Sequence, residues 1–154
     1  TISQIITDQI GSTGEKMELS RYEFINAEHV VSYIHMGNML ATIVGFNKSV
    51  VSEDVAKDIA MQVAAMNPIS ITADTIPAEV KETELKIARE KAAEGGKPEH
   101  LLDRIAEGSL QKFYKENTLL QQDYVKDNKM TIEQFIKQSD KDLMVTEFKR
   151  VSLS

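Results

Sequence analysis

Two long charged segments flank the sequence Gly95-Gly96-Lys97-Pro98, and no other feature of the chain constrains the fold as strongly. One segment runs from Pro77 to Glu94 and the other from Glu99 to Tyr124, and neither contains proline after its first residue. Glycine readily adopts the positive φ that ends a helix, and the fixed φ of Pro98 suits the first turn of the next helix. A short loop makes two helices antiparallel neighbours. The sequence therefore predicts a helical hairpin over residues 77–124.

Composition narrows the classes of function that the remaining chain could serve. The 154 residues are 42% hydrophobic, which is enough for a real core, and they include no cysteine. Disulfides, thiolate metal sites and a catalytic thiol are thereby excluded. The net charge of −6 argues against a nucleic-acid partner, which would favour a basic surface. Neither a membrane-spanning run nor a signal peptide is visible, so we expect a cytoplasmic protein that meets other proteins.

Four stretches have the composition of β-strands. Met17 to Ile25 partly alternates, Val30 to Met36 is β-branched and aromatic, and Met39 to Phe46 is almost wholly apolar. Gly37-Asn38 is a turn signal between the second and third of these stretches. Because consecutive strands joined by short turns pair antiparallel, we expect a small antiparallel sheet. Leu143 to Leu153 alternates as well and is predicted to return to that sheet.

Helix signals fill the rest of the chain. Residues 1–10 have isoleucines at roughly helical spacing. Ser52, followed by two acidic residues, is a candidate N-cap for a helix that Pro68 ends. Thr131 with Gln134 forms the pattern of a capping box. The order of elements predicts an α+β fold with an inserted, coiled-coil-like hairpin. Its predicted division is a sheet-and-helix core formed by 1–76 with 125–154, and a hairpin over 77–124.

No arrangement of residues in the sequence supports covalent catalysis. Residues 11–16 (GSTGEK) faintly resemble a phosphate loop, but the spacing is wrong and no serine or threonine follows the lysine. The three histidines have no metal-ligand spacing, and Asp103 with Glu107 is best explained as part of a solvated helix face. We therefore expect no catalytic residue, no metal and no cofactor. Composition and pattern alone indicate an α+β domain that binds a protein.

Several segments, in one order along the chain, match motifs of a known family. They are Thr13–Leu19 (family IGEKIEL), Tyr33–His35 (YxH), Asp58–Ala65 with Pro68 (IAMHIAA…P), Gly96–Pro98 (GKP), Glu107–Gly108 with Lys112–Phe113 (EGR…KF), Leu119–Asp127 (LLEQPFVKD) and Phe148–Arg150 (FxR). Together these segments cover nearly the whole chain. On these residues the chain resembles the C-terminal half of bacterial elongation factor Ts, the nucleotide exchange factor of elongation factor Tu.

The resemblance implies a fold and a mechanism. Family members have two related sheet-and-helix subdomains and a projecting hairpin, the dimerisation element, and this chain would be a fragment that supplies the second subdomain with the hairpin. The factor binds nucleotide-free elongation factor Tu better than the GDP form, so by linkage it weakens GDP binding. This half is expected to grip the third domain of the partner. The family's TDFVA motif, which disturbs the magnesium site of the nucleotide, is not found in the sequence.

The resemblance also implies which residues contact the partner. His35 and Tyr33 match the YxH motif, and Tyr124 with Val125 matches the FV pair after the second hairpin helix. Gly14, at the family's IG turn, is a further candidate. The partner-binding set is therefore predicted to be Gly14, Tyr33, His35, Tyr124 and Val125.

Three positions depart from the family pattern, and one other function stays open. Thr13 replaces isoleucine, Gln62 replaces the second histidine of IAMH, and Asp123 replaces proline. The alternative is a module that dimerises or acts as an adaptor through the hairpin without any exchange role. Motifs outside the hairpin favour the exchange factor, whereas the sequence leaves a homodimer undecided.

Overall fold

The computed structural model describes residues 1–49 and 51–153, and it confirms the predicted α+β class. Residues 50 and 154, which belong to the predicted core ranges, lie outside this description. In chain order the elements are α1 (Ile2–Thr13), β1 (His29–Ile34), β2 (Leu40–Phe46), α2 (Glu53–Met66), a 3₁₀ turn (Ala73–Thr75), α3 (Ala78–Glu94), α4 (Glu99–Asn117), β3 (Asp123–Tyr124), β4 (Asp127–Thr131), α5 (Ile132–Ser139) and β5 (Val145–Ser152).

Three strands form an antiparallel sheet in the order β1-β2-β5. Tyr33 pairs with Thr42, which in turn pairs with Arg150 on the other side. The sequence correctly predicted these three strands. Alternation along β2 buries Thr42, Val44 and Phe46 on the face that packs against α2.

The turn between β1 and β2 forms at the predicted Gly37-Asn38. Both residues have positive φ, 93° at Gly37 and 57° at Asn38, which glycine and asparagine tolerate best. The turn is closed by two backbone hydrogen bonds. The His35 N–H donates to the Leu40 carbonyl at 2.8 Å, and the Asn38 N–H donates to the His35 carbonyl at 3.0 Å.

The predicted strand from Met17 to Ile25 is wrong. Residues 14–26 form no strand ladder, although burial alternates from Glu23 to Ala27. The reason is packing against the sheet: a Cβ built on Gly45 would lie 2.9 Å from side-chain atoms of both Ile25 and Ala27. The segment thus covers one face of β2 through its side chains. Period-two burial arises here without the hydrogen bonds of a strand.

Helices α3 and α4 pack against each other around the loop 95–98, where Gly96 has a φ of 72°. Contacts at two levels show that the helices run antiparallel, since Arg89 pairs with Asp103 at 2.9 Å and Lys81 lies 5.9 Å from the Tyr114 ring centroid. The buried residues of the two helices are Ala92, Leu102 and Ala106. The seam between the two helices is therefore narrow.

The second predicted helix, from Glu99 to Tyr124, is wrong beyond Asn117, where α4 ends. The chain then runs beside the segment that joins α2 to α3. The Leu119 N–H donates to the Ser70 carbonyl at 2.9 Å, and the Leu120 N–H donates to the Ile71 carbonyl at 3.1 Å. Leu119 is fully buried in the core. Burial of this side chain in the body and pairing with a segment about fifty residues away in sequence override helix continuation.

The core lies between the sheet, α2 and α5, and its largest fully buried apolar side chains are Phe46, Ile59, Leu119, Ile132, Val44 and Val63. The predicted capping box of α5 is present, with Gln134 N–H donating to Thr131 Oγ1 at 3.3 Å and Thr131 N–H to Gln134 Oε1 at 2.9 Å. Ser52 is the N-cap of α2, but its side chain accepts no hydrogen bond there, so the predicted side-chain cap is wrong.

Candidate protein-interaction surface

At the end of β1, Tyr33 and His35 form a hydrogen-bonded pair. The Tyr33 hydroxyl lies 2.9 Å from His35 Nδ1, and the ring centroids are 6.0 Å apart. Tyr33 is half-buried, whereas His35 is exposed. The hydrogen bond therefore holds an exposed imidazole in one orientation at the surface.

Exposed apolar side chains flank this histidine along the chain. Met36 is 89% exposed, and Ile34 and Met39 are also more than half exposed. Adjacent exposed apolar side chains of this size are typical of a surface that binds another protein. We call Tyr33 to Met39 the turn surface.

Near the base of the α3–α4 hairpin, Tyr124 is held inside the protein. Only 6% of it is exposed, its ring stacks on Phe135 with centroids 4.4 Å apart, and its hydroxyl donates to Asp58 on α2. Lys126 also pairs with Asp58, at 2.5 Å. Burial, followed by the Asp58 carboxylate, raises the pKa of the Tyr124 phenol above its usual value. Tyr124 is therefore a neutral, buried hydrogen-bond donor.

Val125, the next residue, points the other way. Its side chain is 46% exposed, while its backbone N–H donates to Gln62 Oε1 at 2.9 Å. Gln62 is fully buried on α2. Val125 thus presents an apolar side chain at the surface, and the hydrogen bond to Gln62 fixes its backbone. We call residues 123–126 the base surface.

The fifth predicted residue, Gly14, lies apart from both surfaces. It follows α1 with a φ of 71°, and its N–H donates to the Ile10 carbonyl at 2.9 Å. No residue of α1 is buried, and a Cβ built on Gly14 would meet no atom within 4 Å. The structure explains the glycine as a helix C-cap.

Helix α2 connects the turn surface with the base surface. It packs against β1 and β2, and Thr42 Oγ1 donates to the Ala60 carbonyl at 2.9 Å. The same helix contributes Asp58 and Gln62 to the base surface. Both predicted groups are thereby attached to one rigid element.

Sequence reasoning missed the pair of buried glutamines, Gln62 and Gln122, although Gln62 was noted as a departure from the family pattern. Their side-chain amides are 3.3 Å apart, and both residues are at most 1% exposed. A signal existed for Gln62, which lies between Ile59 and Val63 on the apolar face of α2. A polar residue on an apolar helix face indicates a buried hydrogen-bond network.

Residues 1–49 and 51–153 contain neither a candidate membrane span nor a candidate metal site. None of the helices there is both long and apolar enough to cross a membrane. In the same residues, acidic and histidine side chains nowhere gather in groups of three that could hold a metal ion.

Comparison with known proteins identifies relatives over the whole chain. The family described as Elongation factor TS matches residues 1–154. Elongation factor Ts of Porphyromonas gingivalis is 56% identical over 154 residues, which are 100% of this chain and 56% of that protein. The corresponding protein of Azobacteroides pseudotrichonymphae is 55% identical over 153 residues, 99% of this chain and 56% of that protein. The chain spans about half the length of the curated relatives it matches.

Proposed function

Because this chain belongs to the elongation factor Ts family, we propose that it binds elongation factor Tu and supports exchange of GDP for GTP on that protein during protein synthesis. Its place of action would be the cytoplasm. The observation that carries the proposal is the 56% identity over all 154 residues, within which the chain keeps the YxH and VKD motifs.

The proposed mechanism is a difference in binding free energy between two states of the partner. A factor that binds the nucleotide-free form more tightly than the GDP form lowers GDP affinity by the same ratio. No covalent bond forms or breaks in this process. The chain therefore needs a complementary surface and no catalytic group.

The turn surface and the base surface have the chemistry for such a contact. Met36, Ile34 and Val125 supply exposed apolar area, and His35 supplies an oriented imidazole ring. Lys126, held against Asp58, adds a charge at the rim. Apolar anchors with a polar rim are the usual composition of a specific protein interface.

Isothermal titration calorimetry with nucleotide-free elongation factor Tu tests the proposal. We expect a dissociation constant of about 10 µM or tighter, which is about −7 kcal/mol. Titration of the GDP form measures how strongly this chain by itself is coupled to the nucleotide. Absence of heat at partner concentrations of about 50 µM would contradict the proposal.

A stopped-flow assay of GDP release separates binding from exchange. The 154-residue chain lacks the TDFVA motif that the family resemblance connects with displacing the nucleotide. We therefore expect the chain to bind while accelerating GDP release little. Full acceleration by this chain would contradict the assignment of nucleotide displacement to the TDFVA motif. The sequence leaves self-association through α3 and α4 undecided, and sedimentation velocity of the free chain measures it.

A further inference from the structure

We propose that Gln62 is a positioning residue of the base surface: its buried side-chain amide holds the backbone on both sides of Tyr124, so that Val125 faces outward. The importance of Val125 for binding rests on the proposed function. The positioning itself rests on three hydrogen bonds and can be tested without any partner.

Both the NH₂ group and the oxygen of the Gln62 amide form hydrogen bonds. Its Nε2 donates to the Asp123 carbonyl at 3.1 Å and to Gln122 Oε1 at 3.3 Å. Its Oε1 accepts from the Val125 N–H at 2.9 Å. The Gln62 side chain thus pairs with the Asp123 carbonyl and the Val125 N–H, as a neighbouring strand would do in a sheet.

Only one orientation of this amide fits its surroundings. Turning it over would place the NH₂ group against the Val125 N–H and the oxygen against the Asp123 carbonyl. A donor would then face a donor, and an acceptor would face an acceptor. Unpaired polar groups of this kind are costly inside a protein. The network therefore selects a single orientation of Gln62 and a single placement of Asp123 and Val125.

Gln122 stabilises this arrangement through hydrogen bonds to Gln62 and to two backbone carbonyls. Its Oε1 accepts from Gln62, and its Nε2 donates to the Glu116 carbonyl at 2.9 Å and the Met66 carbonyl at 3.4 Å. Those carbonyls belong to the last turns of α4 and α2. The two glutamines consequently connect both helix ends with the base surface.

The hydrogen bonds fix which side chain points inward. Along an extended segment successive side chains face opposite sides, so a shift of one residue would exchange their positions. In the observed register Tyr124 is 6% exposed and Val125 is 46% exposed. A one-residue shift would bury Val125 and expose the tyrosine, and the three bonds to Gln62 oppose that shift.

The test compares Gln62→Met with Gln121→Met. Methionine keeps the length of glutamine and removes both polar atoms at the buried site, whereas Gln121 is an exposed glutamine near the same segment. In the unsubstituted chain the Val125 amide should exchange with solvent at least about tenfold more slowly than its intrinsic rate. Gln62→Met should remove most of that protection and weaken binding of nucleotide-free elongation factor Tu about tenfold. Gln121→Met should change neither quantity.

A double-mutant cycle with Val125→Ala distinguishes positioning from a general loss of structure. If Gln62 acts through Val125, Gln62→Met should weaken binding much less in the Val125→Ala background than in the unsubstituted one. An equal loss in both backgrounds would overturn the proposal, as would an unprotected Val125 amide in the unsubstituted chain. The latter measurement also decides the matter if Gln62→Met fails to fold. If the unsubstituted chain does not bind at all, the proposed function fails, and the exchange rates still test the positioning.

Discussion

The turn surface and the base surface both present apolar side chains at the exterior, but the protein holds them in different ways. At the turn, two positive-φ residues and one surface hydrogen bond, between Tyr33 and His35, set the conformation. At the base, the buried amide of Gln62 and the buried ring of Tyr124 hold the chain. The difference indicates that the base is part of the folding unit, whereas the turn is built from local interactions.

This contrast has a consequence for mutational experiments. A substitution at the base should change stability and binding together, because the same groups belong to the core and position the surface. A substitution of an exposed side chain at the turn should change binding alone.

Leu119→Ala should lower the free energy of unfolding by about 2–5 kcal/mol, because it removes a fully buried side chain where the chain leaves α4. Met36→Ala at the turn, where the side chain is 89% exposed, should change it by no more than about 0.5 kcal/mol. Urea denaturation of both variants measures the difference. Similar losses in the two variants would contradict the contrast between the buried chain that leads to the base surface and the exposed side chain at the turn.

Gly37→Ala should destabilise the protein by about 1–3 kcal/mol, because φ at this position is 93° and an alanine there is strained. The matched control is Gly108→Ala, inside α4, where a Cβ would meet no atom within 4 Å. That change should stabilise by about 0.5–1 kcal/mol, because alanine is the better helix former. Thermal unfolding of the two variants should therefore shift in opposite directions, and a shift in the same direction would contradict the assigned turn geometry.

Tyr124→Phe should cost about 1 kcal/mol at neutral pH by removing the hydrogen bond to Asp58. The folded pKa of this phenol lies above its unfolded value, so its stabilisation is fully present below a pH of about 10 and is lost as pH rises through the folded pKa. Denaturation between neutral and strongly alkaline pH should show a steeper loss for the unsubstituted chain than for Tyr124→Phe. Identical pH profiles would show that Tyr124 ionises as readily in the folded protein as in the unfolded one.

His35→Ala should leave the free energy of unfolding within about 0.5 kcal/mol, because the side chain is exposed. It should weaken binding of nucleotide-free elongation factor Tu about tenfold, as the loss of one hydrogen-bonding side chain from an interface predicts. Calorimetric titration and urea denaturation of one preparation give both numbers. If the variant does not fold, His35 is a structural residue and the turn is not a purely local surface.

The turn could be predicted from the sequence because the interactions that form it are local. The base could not be predicted because its interactions join segments that are distant along the chain. β1, the Gly37-Asn38 turn and β2 are adjacent in the chain, so strand composition and turn chemistry determine them. The capping box at Thr131 is equally local. By contrast, the end of α4 depends on a backbone contact between Leu119 and Ser70, which no local pattern reveals.

The extended segment before β1 teaches the same lesson. Alternation predicted a strand from Met17 to Ile25, but alternation alone does not tell packing on a face from pairing at an edge. Tyr124 is similar, since the resemblance drew attention to it and only the structure shows that its ring is buried. Whether Tyr124, Val125 and His35 act in partner binding remains to be measured.

One partner should contact the turn surface and the base surface together. Hydrogen–deuterium exchange of the chain, with and without nucleotide-free elongation factor Tu, tests it directly. Peptides covering residues 33–39 and 121–127 should both become more protected in the complex, while the loop at 95–98 should be unchanged. Protection confined to residues 95–98, with 33–39 and 121–127 unaffected, would contradict this account and assign partner binding to the tip of the hairpin.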